Sequence, residues 1–414
     1  MLYPLKRAAA TTAAALLTAL TAATPAAVAA EGAGGPALDG SGECTFPMKE
    51  QIAGTPWPLQ RVLLDELWQD TKGKGVRVAV IDTGVDNDNV QLKPAVDASA
   101  GKDLLKPDKK NSDEKRGKTD GTVDLVGHGT KVAGIIAARP REGTGFVGIA
   151  PESTIIPIRQ NDENNSGNDR TMATAIDHAI AKGADVINIS QDTVKPLGPD
   201  SALGKAVQRA TAAGVVVVAS AGNDGMDGKV KNTYPAAFPG VLAVASSDRN
   251  NERAVFSQAG EFVGVAAPGV DIVSTVPGNG QCIDNGTSFS APYVAGVAAL
   301  LKAKHPRWSP AEIVAEIEQT ATRSINGHDN FVGWGVIDPV RALSGDDKPQ
   351  NAPRPDPGPA KPPAPEPAHL AMTETVQERN ERYATYALGI GVVLVAVIAG
   401  TATVIRDTAR KRAR

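Results

Sequence analysis

Between Lys74 and Leu343 the chain alternates short, uniformly apolar runs with stretches in which apolar residues recur every three or four positions. The runs Val76–Asp82, Thr154–Ile158, Val186–Ser190, Val215–Ser220 and Val241–Ala245 lack an alternating polar face, so they predict strands buried on both sides. The helical period predicts helices over His128–Ala138, Thr171–Lys182, Leu203–Ala213, Pro292–Lys304 and Pro310–Ala321. The last opens with Ser309, Pro310, Ala311 and Glu312, a capping box with proline in the first turn. Strands and helices taken in turn predict an α/β fold, a doubly wound parallel sheet with helices on both faces. Functional groups in such a fold are expected beyond the carboxyl ends of the strands.

The pattern changes at both ends. Lys6 and Arg7, an Ala/Leu/Thr run from Ala8 to Ala23 and small residues from Ala26 to Ala30 predict an export signal over residues 1–30. Residues 384–405 carry no charge and as a helix would span about 33 Å, enough for a hydrocarbon core of about 30 Å. Arg406, Arg410, Lys411, Arg412 and Arg414 follow this span, which orients residues 406–414 to the cytoplasm and everything before it to the outside. Prolines from Pro349 to Pro367 crowd residues 345–383, a composition that extends and does not pack, so this segment reads as a linker. That leaves residues 31–73 as an N-terminal extension and 74–344 as one globular domain. The formal net charge of −3 over 414 residues shows no basic excess, and no nucleic-acid partner is expected.

Three glycine-framed stretches carry the candidate chemistry. Asp82 ends an apolar strand, where a buried carboxylate needs a partner, and an imidazole N–H would supply one. His128, between Gly127 and Gly129, begins a helix and is the only one of five histidines so framed; His178, His305, His328 and His369 are expected to have no catalytic role. Ser288 precedes Pro292, whose position starts a helix, so its own backbone N–H would point out of the helix start towards an oxyanion; its hydroxyl also fits an N-cap. Ser290 would face away, about 200° further round. Asp, His and Ser in this order predict a nucleophilic triad. Asn223, beyond the VVVVAS strand, fits a second oxyanion donor and equally a turn before Asp224 and Gly225.

These motifs, together with VGIAP, GADVINIS, SAGN, FSQAGEFVGVAAPG and GWGVIDPVRAL, resemble the subtilase serine proteases over residues 74–344. The resemblance implies that Asp82 orients His128, His128 acts as general base and then acid, Ser288 is the nucleophile and Asn223 donates to the oxyanion. It also implies a substrate-lining role for Ser190, Gln191, Asp192, Ala221 and Gly222. The family usually reads Ser, apolar residue, Gly, Gly in the first of these segments; here it reads Ser190, Gln191, Asp192, Thr193, which implies a reshaped cleft, and Asp192 fits a solvated carboxylate better than one that favours a basic substrate side chain. No cofactor and no metal is expected: Asp86, Asn87, Asp88 and Asn89 fit a solvated turn better than a calcium loop. The charged stretch from Gly101 to Thr122 is expected as a surface loop, open to nicking near Lys115, Arg116 and Lys118.

The stretch from Cys44 to Gly75, the linker and the terminal span resemble the mycosins, membrane-anchored subtilases that accompany type VII secretion. Residues 31–73 are too few for an independent prodomain and are expected to wrap the catalytic domain. The two cysteines, Cys44 and Cys282, are expected to oxidise outside the cell, with a bridge to each other, free thiols and a bridge between chains as the alternatives. The reading as a whole is a single-pass extracellular endopeptidase acting on exported proteins. Its alternative is a structural stabiliser of a secretion complex.

Overall fold

Alternation along the strands decides the layering. A computed structural model describes residues 51–105, 117–162, 164–345, 349–357 and 373–413. The expected export signal, Cys44, Lys115, Arg116 and residues 358–372 of the expected linker lie outside the described residues. Residues up to Asp356 form one unit and those from Pro357 a second.

The first unit is built on a seven-stranded parallel sheet in the order β2-β3-β1-β4-β5-β6-β7. Its strands are β1 (Arg77–Asp82), β2 (Lys102–Asp103), β3 (Thr154–Arg159), β4 (Val186–Ile189), β5 (Val216–Ser220), β6 (Val241–Ser247) and β7 (Val263–Pro268). Val78, Val80, Val186, Val216, Val218, Leu242 and Val244 face one layer, with helices α3 (His128–Ala137), α6 (Thr287–Lys304) and α7 (Pro310–Thr320). The intervening Ala79, Ile81, Ile187, Ile189, Val217 and Ala219 face the other, with α4 (Asp169–Ala181) and α5 (Ala202–Ala212). Period-two alternation then places Asp82, Asn188, Ser190, Ser220 and Ser246 on the α3/α6 side.

Most expected elements form within two residues of their predicted ends. The helix expected from Pro292 begins five residues earlier, at Thr287, with Pro292 inside it. Proline tolerates this interior site because the carbonyl its missing N–H would have served, that of Ser288, accepts instead from Ser190 Oγ at 2.9 Å. Helix α7 has the predicted capping box, Ser309 N–H donating to Glu312 Oε2 at 2.7 Å. The antiparallel pair β8 (Ile272–Thr275) and β9 (Gln281–Asp284) was not apparent from the apolar pattern.

The described part of the N-terminal extension lies on the α3/α6 side. Its helices α1 (Trp57–Arg61) and α2 (Leu64–Leu67) bury Leu59, Val62 and Leu67 in that core. Trp57 Nε1 donates to the Val270 carbonyl at 3.0 Å, Trp68 Nε1 to the Ile149 carbonyl at 2.9 Å, and Ile52 N–H to Gln281 Oε1 at 2.8 Å. At the other end, helix α8 (Pro339–Ser344) closes the body, and the proline-rich segment begins attached to it. Arg354 N–H donates to Gln319 Oε1 at 2.6 Å, and Arg323 pairs with Asp356 at 3.4 Å. Within the expected linker, Arg354 is therefore held to α7 and Asp356 to the segment that follows it.

The second unit contains α9 (Val376–Arg412), opened by a Thr375/Glu378 capping box. Among the described residues it is the one helix long and apolar enough to cross a membrane.

Candidate active site

Parallel register brings the strand ends level. Ile81 of β1 pairs with Ile189 of β4, and Ile189 with Ala219 of β5, so Asp82 and Ser220, the last residues of β1 and β5, stand level with Ser190, which follows β4. The amino ends of α3 and α6 deliver His128 and Ser288 to this edge.

Asp82 and His128 are both buried, and His128 Nδ1 lies 2.7 Å from Asp82 Oδ1, an oxygen that also accepts from Thr83 N–H at 2.7 Å. The imidazole thus meets the cost of sequestering the carboxylate, and the carboxylate fixes which ring nitrogen carries the proton. Gly129 makes the approach possible: a Cβ there would lie 2.1 Å from the Gly84 carbonyl oxygen and 3.0 Å from Asp82 Cβ.

Asp124 reinforces the same junction, and the motif reading missed it. Buried before α3, it accepts from Thr83 Oγ1 at 2.8 Å, Gly127 N–H at 2.7 Å, and Thr130 N–H and Oγ1 at 2.9 and 2.6 Å. Burial pushes the Asp124 carboxyl up, while the hydrogen bonds from Thr130, Gly127 and Thr83 pull it down. Its partners adjoin Asp82 on one side and His128 on the other. An acidic residue four positions before the histidine was the only sequence signal, and it does not separate a buried acceptor from a solvated turn.

Ser288 is buried near the start of α6, where its Oγ donates to the Ser190 carbonyl at 3.1 Å. Asn188 Nδ2 donates to Ser190 Oγ at 2.9 Å, so β4 and α6 are knitted together at the serine. Ser290, the expected non-participant, is turned to Ser246 with Oγ atoms 2.8 Å apart. His178 and His328 contact backbone carbonyls of Ala100 and Val263, His305 stacks on Trp308, and His369 lies outside the described residues.

Asn223 is half-buried, and its Oδ1 accepts from both the N–H and the Oγ1 of Thr287, each at 3.0 Å. With the carbonyl end occupied, the amide NH2 is the end left to donate. Thr287, adjacent to Ser288, is a second residue the sequence reading missed.

The substrate-lining candidates flank this edge. Ala221 and Gly222 are buried just before Asn223. Gly222 has φ of +101°, and a Cβ there would come within 3.0 Å of Asp192 Oδ2, so the Asp192 carboxylate sits against it. Gln191 is buried, with its Oε1 accepting from Gln160 Nε2. A cavity of about 250 Å3 opens beside Gln191 and Asp192 and is also lined by Asn161, Asn168, Met172 and Tyr234. Cys282 is buried on β9; its expected partner Cys44 lies outside the described residues. Asp86 and Asn89, weighed above as calcium ligands, hydrogen-bond the turn between β8 and β9, Asp86 to Gly278 N–H and Asn89 Nδ2 to the Val276 carbonyl at 2.9 Å. Among the described residues no cluster of three or more His, Cys, Asp or Glu could hold a metal ion.

The subtilase family profile matches residues 73–335. The chain belongs to the subtilase family. It is 35% identical to mycosin-1 of Mycolicibacterium smegmatis over 362 residues, covering 75% of this chain and 77% of that protein. It is 38% identical to subtilisin E of Bacillus subtilis over 290 residues, 70% of this chain and 71% of that one. A crystal structure of MycP1 from Mycobacterium smegmatis superposes with a TM-score of 0.64 at 32% identity, covering 77% of this chain and 91% of that one. That of MycP3 from the type VII (ESX-3) secretion system gives 0.62 at 32%, over 72% and 92%. This subtilase is therefore a subtilisin-like serine protease of the mycosin type, and its substrates are peptides or proteins.

Replacing Asp124 by Ala leaves several buried donors without an acceptor and should cost about 2–4 kcal/mol of stability. Loosening the Asp82/His128 junction should also lower kcat about tenfold or more with a smaller change in KM. Thermal unfolding and steady-state peptide hydrolysis check both; an unchanged kcat would show that Asp124 does not support the junction.

Proposed function

We propose that Asp82, His128 and Ser288 form the catalytic triad of a membrane-anchored protease whose catalytic domain lies outside the cell. The 2.7 Å contact between His128 Nδ1 and Asp82 carries this reading, because it leaves Nε2 as the nitrogen for proton transfer. Rotation of Ser288 about χ1 would move its hydroxyl from the Ser190 carbonyl towards His128, a tightening common once substrate binds. Ser288 Oγ then attacks the peptide carbonyl as His128 takes its proton. The negative oxygen that develops is met by the Asn223 amide and the Ser288 N–H. His128 returns the proton to the leaving amine, and water hydrolyses the acyl-enzyme by the same route.

The mycosin relatives and the uncharged 384–405 stretch of α9, with basic residues after it, support a single-pass anchor and residues 406–414 inside. The proposed division is then a signal over residues 1–30, an extension over 31–73, a peptidase domain over 74–344, a linker over 345–383 and a span over 384–405. Exported proteins are the substrates this placement supports. The link of MycP1 and MycP3 to type VII secretion favours a second role, stabilising such a complex. A strain with Ser288→Ala that still secretes while a deletion strain does not would assign secretion to that role; equal loss in both would assign it to proteolysis.

Expressed whole, the protein should stay in the membrane pellet after carbonate washing and cleave an added peptide without cell lysis. Ser288→Ala should abolish that cleavage, and Asn223→Ala should lower kcat by about 10² to 10³, a magnitude taken from the general subtilisin example. Parent-like turnover in either variant would refute the assignment.

Asp192 against Gly222, beside the proposed oxyanion donor, supports preference for a basic side chain near the scissile bond. A peptide library should show enrichment for Lys or Arg that Asp192→Asn removes; a flat profile in the parent contradicts the preference.

A Cys44–Cys282 bridge is proposed to tie the extension to β9, in the chain-entropy account a closure worth up to about 5 kcal/mol. Intact protein should then resist alkylation at both cysteines until reduced, whereas ready alkylation without reductant would dismiss the bridge.

A further inference from the structure

The residue that directly follows GHGT is Lys131, placed inside the protein three positions after His128 on α3. Its side chain is only 11% exposed, and its Nζ lies 2.7 Å from Oδ2 of Asp284, whose side chain is 3% exposed. Asp284 ends β9, and only Asn285, Gly286 and Thr287 separate it from Ser288. Phe289 lies beside both groups: the His128 ring centroid is 5.5 Å from its ring and Lys131 Nζ 5.8 Å from it. Two further bonds fasten β8 to the same turn of α3, Ser274 Oγ to the Lys131 carbonyl at 2.6 Å and Thr275 Oγ1 to the Thr130 carbonyl at 2.9 Å.

We infer that the Lys131–Asp284 ion pair is a positioning couple for the reaction, holding the histidine's helix in register with the segment that presents Ser288. This rests on His128 as base and Ser288 as nucleophile. A buried pair is poor value for stability alone, because desolvating both ions offsets most of their attraction, and matched apolar or neutral side chains usually do as well. Its position gives it another use. The hydroxyl bonds hold β8 to α3, but the Lys131 ammonium is what reaches β9, the strand that runs into the nucleophile. The pair is also balanced: its opposite charges lie beside Phe289, the ring next to His128, where Asp82 from β1 bonds the imidazole and Asp124 binds the turn before α3. Removing one ion leaves the other unbalanced beside the imidazole.

The test uses full-length enzyme whose activity has first been shown to vanish in Ser288→Ala; if it does not vanish, the triad reading fails and not the positioning couple. The double variant Lys131→Met/Asp284→Asn removes both charges, keeps the two hydroxyl bonds and should fold with a Tm within a few degrees of the parent. Its kcat should fall about tenfold with KM within about twofold, the mark of misplaced groups. Parent-like kcat in the folded double variant overturns the inference. In the single variants the acid side of the kcat/KM profile should move in opposite directions. Lys131→Met leaves Asp284 to favour imidazolium and shifts that limb to higher pH; Asp284→Asn leaves the ammonium and shifts it lower, each by about 0.5–1 pH unit. Shifts of the same sign, or none, contradict the placement of the pair beside the base. Should the singles fail to fold, the kcat of the double variant decides alone.

Discussion

A carboxylate at the end of a buried strand is tolerated only with a partner, and the 2.7 Å contact of Asp82 with His128 Nδ1 is the contact around which this edge of the sheet is organised. Strand alternation fixes which side of the sheet Asp82 faces, and that is the side on which α3 and α6 pack. The glycine after His128 exists at that contact, since any side chain would strike Gly84 and Asp82. Asp124 ties the residue following Asp82 to the turn that starts α3, so two buried acids serve one junction from different sides.

The Ser288 half of the edge depends on β4. Ser190 and Ser288 exchange hydrogen bonds, each hydroxyl donating to the other's carbonyl, and Pro292 supplies the free carbonyl for one of them. Thr287 occupies the Asn223 carbonyl oxygen, leaving its NH2 to donate. A helix start, a strand end and a turn are thereby held to one another by side-chain hydrogen bonds.

Much of this was legible in the sequence because it is local. Unbroken apolar runs gave the central strands, and glycine-framed Asp82, His128 and Ser288 announced themselves by composition. The spacing of Asn223 left a turn and an oxyanion donor equally open, and only its contact with Thr287 shows which end of the amide is occupied. What could not be read was long-range. Pro292 looked like a helix start because the donor that excuses it, the Ser190 hydroxyl, is far away in sequence. Nothing local marks Lys131 or Asp124 in the sequence: the partner of the first, Asp284, comes from β9, and those of the second include Thr83 and Thr130. The β8–β9 pair escaped because short antiparallel strands of mixed polarity carry neither period clearly.

Convergence of the three side chains on one reacting centre is tested most directly by mapping where a fluorophosphonate attaches. Mass spectrometry of the treated, purified protein should find one adduct, on the peptide containing Ser288, with labelling slowed by orders of magnitude in His128→Ala. An adduct on another serine, or equal labelling of Ser288 without the imidazole, would contradict the account.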